Sequence, residues 1–185
     1  MRIISGIKKG CKLLDFDGDD IRPTTDRVKE SVFNLIQDYV SGARVLDVFA
    51  GSGALCFEAV SRGAAHGVCI DKSADSAALI KRNREKLGFN ELVDVFCTDC
   101  KSYIKSTSEV FDIIFMDPPY NKGFIVPVIE LIAEKGILSE NGIIVVESDN
   151  PDKLPEIKSV CEIKKRRYGR TDITVFALNK GDDFN

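Results

Sequence analysis

The segment Asp117-Pro118-Pro119-Tyr120 follows directly on the apolar run Phe111 to Met116. A short hydrophobic run ended by a break reads as a buried strand, which puts the four residues at its C-terminal mouth, where open α/β sheets bind ligands. Their types suit the gripping of a planar amine. Each proline fixes its own φ, offers no N–H and holds the residue before it extended, so the Asp117 carboxylate and the Pro118 carbonyl can stand as fixed acceptors. An exocyclic amine donating to both has its lone pair freed from conjugation, and Tyr120 can stack on the base that carries it. Asp117, Pro118, Pro119 and Tyr120 are therefore the candidate catalytic set, one that makes an amine nucleophilic. A proline-rich turn closing a strand is the plainer reading of the same residues.

A second constellation runs from Val45 to Leu55, where Val45-Leu46-Asp47-Val48-Phe49-Ala50 leads into Gly51-Ser52-Gly53 and a helical stretch. Glycines at such a turn let a ligand approach the backbone closely, and the N–H groups of the helix start face it. Cys56 occupies the place of the third glycine of a dinucleotide fingerprint, so hydride chemistry is disfavoured and another nucleotide-type cofactor is favoured. About twenty residues further on, Cys69-Ile70-Asp71 ends a second short strand with a carboxylate suited to ribose hydroxyls. The cofactor set read here is Asp47, Phe49, Gly51, Gly53 and Asp71.

Taken in order, Met1-Arg2-Ile3-Ile4-Ser5-Gly6, Arg22-Pro23-Thr24-Thr25-Asp26-Arg27-Val28, Phe49 to Leu55, Ser61-Arg62-Gly63-Ala64, Asp117 to Tyr120 and Arg167-Tyr168-Gly169 span nearly the whole chain. On these segments the chain resembles the class I S-adenosylmethionine-dependent methyltransferases, and within them the RsmD-type 16S rRNA guanine-N2 methyltransferases. Two positions depart from that pattern: Cys56, where the family usually has a small residue, and Asp71, where it usually has glutamate. The resemblance implies S-adenosylmethionine as cofactor with no metal, and methyl transfer to the N2 amine of one guanine. It also implies that Asp99 meets the adenine, that the Arg22 block with Thr24 and Thr25 borders cofactor and substrate, and that a monomer acts on an assembled or assembling small subunit. Two other readings stay open: an amine methyltransferase for DNA bases or protein glutamine, and a non-catalytic rRNA-binding assembly module.

The elements that must position these residues alternate. Apolar runs place strands near 44–48, 67–71, 92–97, 111–116 and 142–147, with helices near 54–62, 73–87 and 122–134. That is the pattern of a parallel doubly wound α/β sheet, and the resemblance implies that it is the seven-stranded, Rossmann-like sheet of the class I methyltransferases. Two last strands near 160–168 and 172–178 read as an antiparallel hairpin at its edge. Thr24 or Thr25 can cap a helix whose apolar positions Val28, Val32, Leu35, Ile36 and Tyr39 follow helical spacing. Residues 1–16 read as a short two-stranded arm, so the expected organisation is a basic β-arm over 1–20 and a single methyltransferase domain over 21–185. No long apolar segment or signal-like start is seen, and the expectation is a cytoplasmic protein without membrane contact.

Six cysteines are scattered, mostly in apolar runs such as Val95-Phe96-Cys97, as expected of reduced and buried thiols. Cys97-Thr98-Asp99-Cys100 has no second cysteine pair to complete a zinc site. The one histidine, His66, stands apart from both motifs and supplies no base for a serine or cysteine triad. With 26 basic and 29 acidic residues the net charge is −3, yet the cations cluster. Arg2, Lys8, Lys9 and Lys12 form one pole, and Lys164, Lys165, Arg166, Arg167 and Arg170 around Tyr168 form another. If both poles flank the Asp117 mouth, together with Arg22, they would hold RNA phosphates while the motif reads the base.

Overall fold

The computed structural model describes residues 1–16, 26–119, 123–148, 156–169 and 171–179. Among these, seven strands form one sheet: β1 (Arg44–Asp47), β2 (His66–Asp71), β3 (Val93–Cys97), β4 (Phe111–Met116), β5 (Leu138–Ser148), β6 (Val160–Tyr168) and β7 (Thr171–Leu178). Their spatial order is β3-β2-β1-β4-β5-β7-β6. The first five are mutually parallel, and β7 and β6 close the edge as an antiparallel pair. The order reverses between β1 and β4, so the crevice above their C-terminal ends is the topological switch point.

Parallel strands covered on both faces read as unbroken apolar runs because neither face meets water. Val45, Ile113, Phe115, Ile143 and Val145 belong to one core with helices α1 (Asp26–Leu35), α3 (Ala54–Ser61) and α4 (Ala74–Leu87). Leu46, Ile114, Met116, Ile144 and Val146 belong to the other, with α5 (Cys100–Ser106) and α6 (Ile125–Lys135). Each fully buried side chain of this size contributes roughly 1.5–3 kcal/mol.

Several expectations are corrected. The strand pair expected over residues 1–16 is short: Arg2 and Lys12 form one antiparallel bridge, with backbone bonds from Ile3 N–H to Cys11 O, Gly10 N–H to Ile3 O and Leu13 N–H to Met1 O beside it, and the loop between the two arms is bound to α3. The Glu58 carboxylate accepts from the Ile4 and Ser5 N–H groups at 2.7 and 2.9 Å, and Ser61 Oγ accepts from Lys8 N–H at 3.0 Å. The helix expected through Tyr39 is interrupted at Ile36, and α2 (Gln37–Val40) follows as a separate turn. α5 was not expected at all: it is seven residues long and is capped by Asp99, whose Oδ1 accepts from Lys101 N–H and Ser102 N–H. Cys97 is exposed rather than buried, because β3 is an edge strand, and Cys11 and Cys161 are exposed as well. No described helix is long and apolar enough to cross a membrane.

Candidate functional site

Above the switch point lies a cavity of about 320 Å³. Gly51 from the first glycine turn and Asp117 from the tip of β4 both line it, so the two constellations picked out in the sequence open into one space. Gly51 adopts φ +55°, and the position of a Cβ on it meets no atom within 4 Å. The turn therefore needs glycine for its backbone, and a side chain there would project into open space above it. Gly53 differs. At φ +80° it starts α3, a Cβ on it would stand 2.5 Å from the Phe57 ring, and it does not line the cavity.

Asp71 holds this turn in place. Its two oxygens accept from Gly51 N–H at 3.0 Å and Ser73 N–H at 2.8 Å, and its carboxylate still borders the cavity. Asp99 caps α5 with one oxygen and also borders the cavity. Asp47 is placed otherwise: 2% exposed at the end of β1, it accepts from Phe49 N–H at 3.4 Å and is not part of the cavity wall. Burial, reinforced by the charges of Asp117 and Asp71, pushes its carboxyl up to about 8.

The aromatic wall comes from Phe49 and Phe124, whose rings lie 5.7 Å apart at 59°. Pro119 completes the rim beside Asp117, and Pro118 is buried behind them. Tyr120, Thr24, Thr25, Arg22 and Arg170 fall outside the described residues. Phe16 and Lys72 line the cavity and were missed by sequence reasoning. Lys72 could have been suspected as the neighbour of Asp71, whereas nothing local marks Phe16.

The basic poles separate. β6 and β7 meet with Tyr168 opposite Thr171, and Asp172 pairs with Ser148 at the end of β5, so Arg166, Arg167 and Tyr168 rise at the same end of the sheet as Asp117. Arg167 Nε stands 3.8 Å from Asp172, and Lys164 instead donates to the Leu35 carbonyl at the end of α1. Lys8 is at the opposite end. It is tied to Ser61, the last residue of α3, and its Nζ approaches Gly88, the cap of α4; both helices run away from the mouth. Lys9 follows in the same loop, with its N–H on Gly6 O, while Arg2 pairs with Asp26 at the start of α1 and Lys12 lies opposite Arg2. His66 is likewise remote, at the start of β2, with Nε2 3.1 Å from Asp94.

A glycine cradle, carboxylates on two neighbouring strand tips and an aromatic wall fit an adenosyl cofactor, and the amine-gripping acid shares its space. Residues 1–177 match the family described as conserved hypothetical protein 95. The chain belongs to this family, the RsmD family. Ribosomal RNA small subunit methyltransferase D of Escherichia coli K12, an RsmD relative, is 38% identical over 169 residues, covering 90% of this chain and 84% of the relative. The solved structure of the yhhF protein of Escherichia coli superposes with a TM-score of 0.87 at 32% identity, covering 96% of this chain and 97% of that one. The RNA methyltransferase of Salinibacter ruber, solved with S-adenosyl-L-homocysteine, shares the fold at a TM-score of 0.69 and 14% identity, covering 89% of this chain and 98% of that one. The RsmD fold is thus a class I methyltransferase fold.

Proposed function

We propose that this chain transfers a methyl group from S-adenosylmethionine to the exocyclic N2 amine of one guanine in small-subunit rRNA. The single observation that carries the reading is the shared cavity, in which the Gly51 turn and Asp117 face one space. Membership of the RsmD family supports rRNA as the substrate class.

The cofactor supplies an electrophilic methyl. Asp71 and Asp99 are the acceptors for its ribose and adenine, Gly51 leaves room for it, and Phe49 and Phe124 exclude water from its flank. Asp117 accepts a hydrogen bond from the guanine amine, which turns the nitrogen lone pair out of the ring system and toward the methyl. The nitrogen–carbon bond forms as the sulfur–carbon bond breaks, and the proton of the methylated nitrogen then leaves to Asp117 or to water. Holding both partners in line supplies much of the rate, since positioning alone is worth up to about 7–11 kcal/mol in well-aligned systems. The substrate proposed is an assembled or assembling particle, and the enzyme is a monomer.

The test is transfer of labelled methyl to naked rRNA, assembled small subunits, DNA and protein in parallel, with the product nucleoside mapped. Asp117→Ala is expected to lower transfer by about a hundredfold or more, the scale of losing a positioned electrostatic group. Affinity for S-adenosyl-L-homocysteine is expected to stay near that of the parent. Near-parent turnover in that variant, or label on anything but guanine N2, overturns the assignment.

A further inference from the structure

We infer that Phe16 is a wall of the cofactor site and that Asn83, remote in sequence, is the residue that positions it. The inference rests on reading the cavity as the S-adenosylmethionine site, and it adds the N-terminal segment to that site.

Asn83 lies in the C-terminal half of α4, is fully buried and has every polar atom of its side chain engaged. Its Oδ1 accepts from Leu14 N–H at 2.7 Å. Its Nδ2 donates to the Leu14 carbonyl at 3.0 Å and to the Ser52 carbonyl at 3.1 Å. One amide thus binds both polar groups of a single residue in the N-terminal segment, and it binds the glycine turn as well. Leu13, just before, is buried with its N–H on the Met1 carbonyl. Two residues beyond Leu14, Phe16 lines the same cavity as Asp117 and Asp99.

The geometry explains why a polar residue occupies this buried place. An unpaired amide in such a site is costly, whereas one that satisfies three backbone groups fixes the distance between the two segments it joins. The segments are the turn that must admit the cofactor and the strap that carries Phe16 to the cavity. A planar aromatic side chain is suited to lie against a purine or the apolar flank of a ribose, and its loss leaves the ligand's face to water. Asn83 itself does not touch the cavity and acts through Ser52 and Phe16.

The test is binding of S-adenosyl-L-homocysteine to the full chain by calorimetry, together with steady-state kinetics. Phe16→Ala is expected to weaken binding about tenfold, the scale of removing one aromatic face with its buried area. KM for S-adenosylmethionine is expected to rise by a similar factor, with kcat changing far less. Asn83→Ala is expected to give the same pattern, and the double variant to be no weaker than Asn83→Ala alone, because a ring that is no longer positioned has nothing further to lose. The chain has no tryptophan, so Phe16→Trp places a single reporter in the cavity; its emission is expected to respond to S-adenosyl-L-homocysteine in saturable fashion. Should Asn83→Ala fail to fold, the two Phe16 variants still decide the matter. The inference is overturned if Phe16→Ala binds within twofold of the parent, if the Phe16→Trp emission ignores the ligand, or if the two alanine effects add in full. A parent chain that binds no S-adenosyl-L-homocysteine overturns the cofactor reading itself, and the inference with it.

Discussion

Asp47 carries a carboxyl into a place where ionisation is penalised. It is 2% exposed, and its pKa is pushed up to about 8, first by burial and then by the neighbouring charges of Asp117 and Asp71. In the unfolded chain the same carboxyl titrates near 3.8. Between those values the native state holds a proton that the unfolded state has released, so stability declines as pH rises from about 4 to about 8, by about 1.4 kcal/mol per pH unit for one such group. Asp47→Asn keeps an acceptor for the Phe49 N–H and has no proton to lose. Urea denaturation of the cofactor-free chain at pH 5, 7 and 9 is therefore expected to show the variant gaining on the parent as pH rises, most of the gain falling between pH 5 and pH 8. Curves that stay parallel across that range would refute the burial argument. The acids of both motifs were legible in the sequence because each ends an apolar run, and strand ends at a switch point are where ligands bind. Which acid faces the ligand was not legible: Asp71 borders the cavity, whereas Asp47 is buried away from it at the end of β1, over which α3 packs. Phe16 was invisible for a related reason, since the hydrogen bond that fixes its strap joins residues 69 positions apart.

The first residues of the chain are held by a buried ionic knot as well as by their short antiparallel pairing. Glu58 on α3 and Lys29 on α1 are both fully buried, 3.2 Å apart, and Arg62 Nε reaches Glu58 at 2.7 Å. Lys29 also donates to the Arg2 carbonyl, so the loop, α1 and α3 meet at one carboxylate. Burial holds the Lys29 ammonium below its ordinary range, and Glu58 is the group that opposes this most. Removing one partner of such a pair strands the other, so Glu58→Ala is expected to cost about 3–5 kcal/mol in chemical denaturation. The double change Glu58→Leu with Lys29→Met is expected to recover only part of it, because the Ile4 and Ser5 N–H groups and Arg62 still lose their acceptor. A single variant as stable as the parent would show the knot to be idle. Parallel strands were legible as apolar runs of the right length, and α4 as a patterned segment between Ser73 and Gly88. The N-terminal knot was not, because a charged residue in a sequence reads as a solvated one until its partner is known. α5 escaped for lack of length: Cys100 to Ser106 carries little periodicity, and its stability begins with the Asp99 cap.

For the molecule as a whole, the net charge of −3 says little beside the placement of the cations. Arg166 and Arg167 stand at the mouth end of the sheet, while Lys8 and Lys9 stand at the other end, beyond an α4 of 14 residues. At 1.5 Å per residue that helix spans about 21 Å. An RNA touching both poles must therefore extend well past the nucleotide that enters the cavity. This separates the two poles experimentally. Arg166→Glu with Arg167→Glu is expected to weaken a short oligonucleotide carrying the target guanine and a long structured rRNA fragment alike, and each phosphate that is no longer neutralised is expected to reduce the salt slope of binding to the single strand by about 0.7. Lys8→Glu with Lys9→Glu is expected to leave the short oligonucleotide unaffected and to weaken only the long fragment. Binding of S-adenosyl-L-homocysteine serves as the control for folding in both. If the short oligonucleotide loses affinity equally in the two variants, the RNA takes a path that this arrangement of charges does not describe; if neither substrate responds to the lysine pair, the far pole has no part in RNA binding and the mouth-end arginines hold the phosphates without it.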